Sequence, residues 1–380
     1  MGSHLKNVFP CFSSEFTTFF PYTLNTASHP GKFLSISSQA LAHNLIPDHH
    51  GSMEDVFMKA HRDPPHDAIT EMAFGGLDNW DSEYFIFIAQ HGYRKFEQTM
   101  AFFPLYPLFM RTLSNTVLYP LTFLTTYRSV VLISGVAINF IAFPVSAGAL
   151  YLLTHEITQN RRLSFLAAAL FCINPASVFM TAVYTECLFA MFTFLGLLCL
   201  EKRWNWSATL SFALATATRS NGILLCGFLA FKWLLCVSDA HPKYNKFSQF
   251  FVFALKRLVI TGLQCVTVLL PFALYQYYAY TLYCTTATSS IDPPSTESLP
   301  LWCRWDSILP PLHYSHVQGY YWNVGFLRYF EIKQIPNFLL ATPMVLLSMY
   351  CLVKFSLALA AVKRTCDRGQ KGQGNWLRYV

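Results

Sequence analysis

Charged residues are scarce in this sequence. Asp, Glu, Lys and Arg make up 12% of its 380 residues, about half of their share in an average soluble protein. Hydrophobic residues make up 53% and aromatic residues 17%. The net charge of +7 is small and spread over loops, which argues against a nucleic-acid surface. The composition therefore indicates a multi-pass membrane protein, with membrane lipids and no nucleic acid among its partners.

Several motifs that would indicate other chemistry are missing. No Cys-x-x-Cys pair or Cys/His cluster has the spacing of a zinc site, and no glycine-rich phosphate loop is present. We therefore predict neither a metal nor a cofactor. The N-terminus carries no clear signal peptide. The chain also shows no internal repeat, which argues against a transporter built from two similar halves.

Apolar runs predict an all-α fold that crosses the membrane several times. A spanning helix needs about 20 apolar residues, and the best candidates lie near 129–153, 162–176, 185–200, 206–219, 221–237, 257–277 and 337–360. Lys and Arg cluster in loops on one side of these spans, which places that side in the cytoplasm. The predicted organisation is an atypical N-terminal segment with a weak first transmembrane helix (1–46), a luminal catalytic loop with interfacial helices (47–128), a transmembrane helix bundle (129–277), a luminal loop (278–336), a transmembrane helix (337–362) and a cytoplasmic tail (363–380).

The predicted luminal loop contains a conspicuous helical stretch, residues 78–91. Asp78 is placed to cap its N-terminus, and Gly92 to end it. Its apolar residues recur at helical spacing and predict a helix that lies on the membrane surface with one aromatic face, formed by Trp80, Tyr84, Phe87, Ile88 and His91.

Two carboxylates in this stretch, Asp81 and Glu83, are two residues apart. On a helix they point about 200° away from each other, so the spacing favours one working carboxylate over a cooperating pair. A second interpretation is that Asp81 only stabilises the first turn through the helix dipole.

Polar residues that are unusual in a membrane protein collect on the predicted luminal side. Arg219 interrupts two apolar runs, and such ionisable groups usually mark a site; the alternative is an Arg that extends to the lipid head groups. Cys284 and Cys303 flank a Ser/Thr/Pro-rich piece of the loop 278–336. In an oxidising lumen they would form a disulfide.

Several segments resemble the GPI mannosyltransferase 2 (PIG-V) family in sequence and in order. They are WDSEYF (80–85), AQHGY (89–93), AFFPLYP (101–107), NPA (174–176), YTE (184–186), RSNG (219–222), LPFALYQYYAY (270–280) and YWNVGFL (321–327). The resemblance implies a multi-pass endoplasmic reticulum enzyme of the GT-C fold. It implies transfer of the second mannose, in α1,6 linkage, from dolichol-phosphate-mannose to a mannosyl-glucosaminyl-(acyl)phosphatidylinositol precursor of a GPI anchor. Because the family continues with further spans beyond the position of Lys354, it also implies a truncated or variant form.

In this family an acidic residue of the first luminal loop is taken as the catalytic base, and the matching position is Asp81. Arg219, Arg328, Lys333 and His91 are then the candidate cations for the donor phosphate. The expected substrate-binding residues are Trp80, Glu83, His91, Glu186, Arg219, Asn221, Gln276, Asn323, Arg328 and Lys333. Two alternatives stay open: another dolichol-phosphate-sugar transferase of the same fold with a different acceptor, and a non-enzymatic membrane protein such as a transporter or an inactive, lipid-binding form.

Overall fold

The computed structural model describes residues 66–174, 177–241, 244, 246–285, 301–303, 312–325, 327–328 and 330–369. These residues are helical with connecting turns and contain no strand, so the predicted all-α class is confirmed. They divide into two compact units. The first contains the described residues within Met1–Leu229 and Gly262–Tyr314, and the second those within Ala230–Thr261 and Ser315–Val380. The predicted N-terminal segment 1–46 lies outside the described residues, as does the end of the predicted tail, 370–380.

The α-helices follow one another with short 3-10 turns between several of them. They are α1 Ala68–Phe74, α2 Asp81–His91, α3 Leu105–Asn115, α4 Tyr127–Thr158, α5 Arg161–Cys172, α6 Ser177–Thr181, α7 Glu186–Glu201, α8 Asn205–Thr218, α9 Cys226–Ala240, α10 Phe247–Tyr280, α11 His313–Trp322 and α12 Ile335–Gly369.

Helix α4 forms the centre of the first unit. The hydroxyl of Thr126 caps its N-terminus by accepting from Ser129 N, and Gln159 ends it in the left-handed conformation with φ 52°. Its buried face packs against α3, α5 and α7, and α7 packs in turn against α8. Residues such as Leu132, Phe143 and Phe212 are almost completely buried in this core. Apolar burial around one long helix therefore holds the first unit together.

Among the described residues, four helical segments are long and apolar enough to cross a membrane: Tyr127–Thr158, Ser220–Ala240, Phe247–Cys284 and Ile332–Leu357. They coincide with four of the predicted spans. The other three predicted spans are the helices α5, α7 and α8, of 12, 16 and 14 residues. These fall short of the roughly 20 residues that a spanning helix needs. Helix α5 nevertheless exposes a row of apolar side chains, namely Leu163, Phe165, Leu166, Leu170 and Ile173.

Helix α2 differs from its prediction in two respects. It begins at Asp81, with Trp80 rather than Asp78 at the N-cap position. It is also buried on nearly every side, from Tyr84 to Ala89, and packs against α3 and α4. The predicted surface helix with one aromatic face is therefore wrong. The apolar residues of this stretch fill a protein core, so helical spacing alone did not identify what covers them.

A second apolar cluster joins the ends of α2 and α10 within the first unit. It contains Tyr93, Phe103, Tyr275 and Trp302. The Tyr93 and Tyr275 hydroxyls both donate to the carbonyl oxygen of Phe102, at 2.9 and 2.8 Å. The structure also bonds the sulfur of Cys284 to that of Cys303, with 5.5 Å between their Cα atoms. The disulfide thus fixes the 301–303 turn to the end of α10.

Candidate active site

Asp81 is the first residue of α2 and is accessible to solvent. The preceding residue, Trp80, adopts φ 63° and ψ −117°, and its side chain is 78% exposed. A positive φ is uncommon for a bulky residue and costs of order 1 kcal/mol or more. Such strain is maintained only where the surrounding structure imposes it. The turn that presents Asp81 is therefore held in place by its neighbours.

The segment 182–186, between α6 and α7, is one of these neighbours. The Val183 N–H approaches the carbonyl oxygen of Leu77 at 3.5 Å, and the Tyr184 hydroxyl donates to the carbonyl oxygen of Asn79 at 3.1 Å. These contacts attach the beginning of α7 to the turn in front of α2. Glu186, the first residue of α7, thereby comes into electrostatic range of Asp81.

Arg219 approaches from the end of α8, where the chain is extended with φ −149° and ψ 145°. Its Nη1 donates to Thr185 Oγ1 at 3.0 Å and forms an ion pair with Glu186 Oε1. The two charged side chains are 37% and 29% exposed. No described residue donates a hydrogen bond to the buried Glu186 Oε2. Arg219 therefore keeps part of its guanidinium exposed, and its positive charge acts on Asp81.

The environment of Asp81 changes its acidity. The surrounding protein removes hydration from the carboxylate, and the negative charge of Glu186 lies nearby; both raise the pKa of Asp81 above its usual value. The positive charge of Arg219 acts in the opposite direction. Asp81 is consequently a stronger base than an ordinary aspartate.

The loop after Arg219 is packed closely onto α8. A Cβ atom added to Gly222 would lie 2.5 Å from both the backbone N and the Cα of Thr216. Only glycine allows this approach. The position of this loop, and with it that of Arg219, therefore depends on residue 222 being a glycine.

We expect Gly222→Ala to lower the free energy of unfolding by about 1–3 kcal/mol, because the added methyl group collides with backbone that cannot move freely. The measurement is the thermal unfolding midpoint in detergent. Gly227→Ala is the matched control, since no described atom lies within 4 Å of its added Cβ. A Gly222 variant as stable as the Gly227 variant would contradict this interpretation.

Gln276 and the loop after Arg219 meet at Tyr314. The Ser220 hydroxyl hydrogen-bonds to the Tyr314 hydroxyl at 2.8 Å. The Tyr314 N–H approaches Gln276 Oε1 at 3.4 Å. Asn221, also on this loop, is exposed. The predicted residues Asp81, Glu186, Arg219, Asn221 and Gln276 thus all belong to the first unit.

The remaining predicted residues lie further along α2 or in the second unit. His91 ends α2 and contacts the Phe87 ring, with 5.0 Å between ring centroids; ten residues of helix separate it from Asp81 by about 15 Å. Glu83 is half-buried in the first turn of α2. Asn323, Arg328 and Lys333 belong to the second unit.

Within the second unit, two of these residues have a common partner. Lys333 Nζ lies 2.6 Å from Glu331 Oε2, and Asn323 Nδ2 donates to Glu331 Oε1 at 3.0 Å. Arg328 lies against the backbone of Gly325. Lys333 is thus held in an ion pair with Glu331, as Arg219 is with Glu186.

A profile of the mannosyltransferase (PIG-V) family matches residues 33–363. The chain belongs to this family. It is 40% identical over 331 residues to human GPI alpha-1,6-mannosyltransferase 2, which covers 83% of this chain and 65% of the human protein. It is 34% identical over 333 residues to GPI mannosyltransferase 2 of Drosophila melanogaster, covering 81% of this chain and 70% of the relative. No solved structure matches the chain.

The chain spans less than two thirds of the length of the mammalian family members that it matches, 65% in the human and the Cricetulus griseus proteins. The matched region nevertheless includes every residue placed in the site above. Among the described residues, no group of three His, Cys, Asp or Glu side chains could hold a metal ion.

The structure of this PIG-V family member also contains polar contacts that the sequence did not predict. Asp78, predicted as a helix cap, instead places Oδ2 2.8 Å from Arg128 Nη2 and 2.8 Å from His66 Nε2, and all three side chains are buried. Asn139, in the middle of α4, donates to the carbonyl oxygen of Tyr184 at 3.0 Å. An Asn inside a membrane-length apolar helix is itself a signal, and it could have drawn attention to Asn139.

Proposed function

We propose that the chain transfers the second mannose, in α1,6 linkage, from dolichol-phosphate-mannose to a mannosyl-glucosaminyl-(acyl)phosphatidylinositol precursor of a GPI anchor. The reaction takes place at the luminal side of the endoplasmic reticulum membrane. The observation that carries the proposal is the solvent-accessible Asp81 carboxylate at the start of α2, with the Arg219–Glu186 ion pair within electrostatic range of it. The family relatives are named for this activity.

The donor already contains an activated leaving group, so the reaction requires little general acid catalysis. A hydroxyl oxygen of the acceptor attacks the anomeric carbon of the donor mannose. The bond from that carbon to the phosphate oxygen breaks, and dolichol phosphate departs with the electron pair. Asp81 accepts the hydroxyl proton, and Arg219 stabilises the negative charge on the departing phosphate.

The position of Asp81 at the start of α2 suits this task. Because its pKa is raised, the pKa of Asp81 lies closer to neutral pH than that of an ordinary aspartate. A general base is most effective when its pKa is near the pH of the reaction. Among the described residues, the contacts of Arg219 with Glu186 and Thr185 both use Nη1. The other guanidinium nitrogens therefore remain as donors for the phosphate while the ion pair fixes the orientation of the side chain.

Expression in cells that lack the second GPI mannosyltransferase tests the proposal. We expect the chain to restore GPI-anchored proteins at the cell surface, and microsomes from these cells to transfer labelled mannose to the precursor. A chain that accumulates normally in the endoplasmic reticulum but gives neither result would overturn the proposal. Transfer of mannose to a different lipid-linked acceptor would support the fold and the donor, and would refute the acceptor.

The pH dependence of the reaction tests the Glu186 contribution. Asp81 must be deprotonated to act, so activity rises as pH rises through its pKa. Glu186→Gln removes a negative charge that raises this pKa. We therefore expect the acid limb of the kcat/KM profile to move to lower pH in this variant. Lys202→Gln, at the other end of α7 from Glu186, is the control and leaves the acid limb in place. A shift to higher pH in Glu186→Gln would contradict the assignment.

A further inference from the structure

Trp80 is held in a backbone conformation that its side chain does not favour. With φ 63° and ψ −117° it occupies the N-cap position of α2. The indole N–H can only donate a hydrogen bond, so the Trp80 side chain cannot satisfy the first N–H groups of the helix. A contact from elsewhere in the first unit therefore helps to maintain the turn.

The Tyr184 hydroxyl makes that contact. It donates to the carbonyl oxygen of Asn79, the residue directly before Trp80, at 3.1 Å. The Asn79 carbonyl oxygen also receives the Ser82 N–H at 3.3 Å, which closes the turn.

Tyr184 is itself fixed from two directions. Asn139 Nδ2 donates to its carbonyl oxygen at 3.0 Å and also to the carbonyl oxygen of Ala182. The Phe179 ring packs edge-on against the phenol, with 5.5 Å between centroids. The contacts run from the centre of α4 through Tyr184 to the turn in front of Asp81. The phenol is therefore a rigid support, because its own backbone is tied to the longest helix of the first unit.

We propose that Tyr184 is a positioning residue that holds the Trp80 turn in its strained conformation and so aims the Asp81 carboxylate at the acceptor hydroxyl. The expected effect on kcat rests on the proposed function. The restraint of the Trp80 turn by Tyr184, which we call the clamp, is a structural property. Tyr184 acts through the backbone carbonyl of Asn79, which also accepts the Ser82 N–H and so closes the turn in front of α2.

The chemistry of the phenol suits a clamp that works over a wide pH range. Burial, and then the nearby Asp81 carboxylate, raise the pKa of Tyr184. The raised pKa favours the neutral hydroxyl, which is the form that donates to the Asn79 carbonyl oxygen.

The test is Tyr184→Phe, which removes one oxygen and leaves the ring packing intact. Tyr93→Phe is the matched control, because it removes a buried phenol oxygen that donates to the backbone carbonyl of Phe102 at 2.9 Å, away from this turn. Steady-state kinetics of mannose transfer and deuterium uptake of a peptide covering residues 79–83 are measured for both variants and for the unchanged chain.

For Tyr184→Phe we expect kcat to fall about 10- to 100-fold with the donor KM unchanged, since a base displaced by an ångström loses that much. We also expect faster deuterium uptake at 79–83 than in Tyr93→Phe. Equal uptake in the two variants would overturn the proposal, and so would a raised KM with unchanged kcat, which would make Tyr184 a substrate contact. If the unchanged chain transfers no mannose, the proposed function fails, and the uptake comparison alone decides whether Tyr184 is a clamp.

Discussion

Asp81→Asn is expected to lower mannose transfer by about 10²- to 10⁴-fold, the usual contribution of a general base. The amide cannot take the proton of the acceptor hydroxyl, and no described carboxylate other than Glu186 interacts electrostatically with Asp81. Because Glu186 already binds Arg219, it is not free to replace Asp81. The rate is measured in microsomes at matched protein levels.

Glu83→Gln is the control for this experiment. It removes a carboxylate from the same turn of α2, but helical geometry directs that side chain about 200° away from Asp81. We expect this variant to retain a substantial fraction of the transfer rate. Equal losses in the two variants would show that the loss comes from the helix terminus and not from a catalytic base.

Asp78→Ala is expected to lower the free energy of unfolding by about 3–5 kcal/mol, the usual effect of removing one partner from a buried ion pair. The Asp78 and Arg128 side chains are only 5% and 10% exposed, so the substitution leaves the arginine charge buried beside His66. If Asp78 only capped the helix, the substitution would lower the free energy of unfolding by about 1 kcal/mol. Unfolding midpoints in detergent distinguish the two values.

Glu156→Ala provides the comparison for Asp78→Ala. It also removes a carboxylate from an ion pair, with Lys202 at 3.0 Å, but both side chains are about one third exposed. Exposed pairs contribute about 1 kcal/mol or less. Equal losses of stability in the two variants would show that the buried Asp78–Arg128 pair stabilises the protein no more than the exposed Glu156–Lys202 pair does.

The long helices could be predicted from the sequence because their signal is local. Continuous hydrophobicity indicated a span at 129–153, and α4 occupies Tyr127–Thr158. The environment of α2 could not be predicted in this way. Its spacing is that of an amphipathic helix, but burial on all sides depends on α3 and α4, which come later in the chain.

Residues of the candidate site could be predicted where a charged residue interrupts an apolar stretch of sequence. Arg219 interrupts two apolar runs, and the structure pairs it with the predicted Glu186. Asp78 was misinterpreted because its position also suits a helix cap, and its partner Arg128 lies 50 residues further along. The role of the Tyr184 hydroxyl was equally hidden, since its acceptor is 105 residues away.

The shortness of α5 has a consequence for the membrane around the protein. With 12 residues the helix is about 18 Å long, whereas the hydrocarbon core of a bilayer is about 30 Å thick. Its outward apolar side chains, Leu163, Phe165, Leu166 and Leu170, therefore cover only part of that thickness. We expect the 32-residue α4, against which α5 packs, to present its own side chains to the lipid over the rest of it.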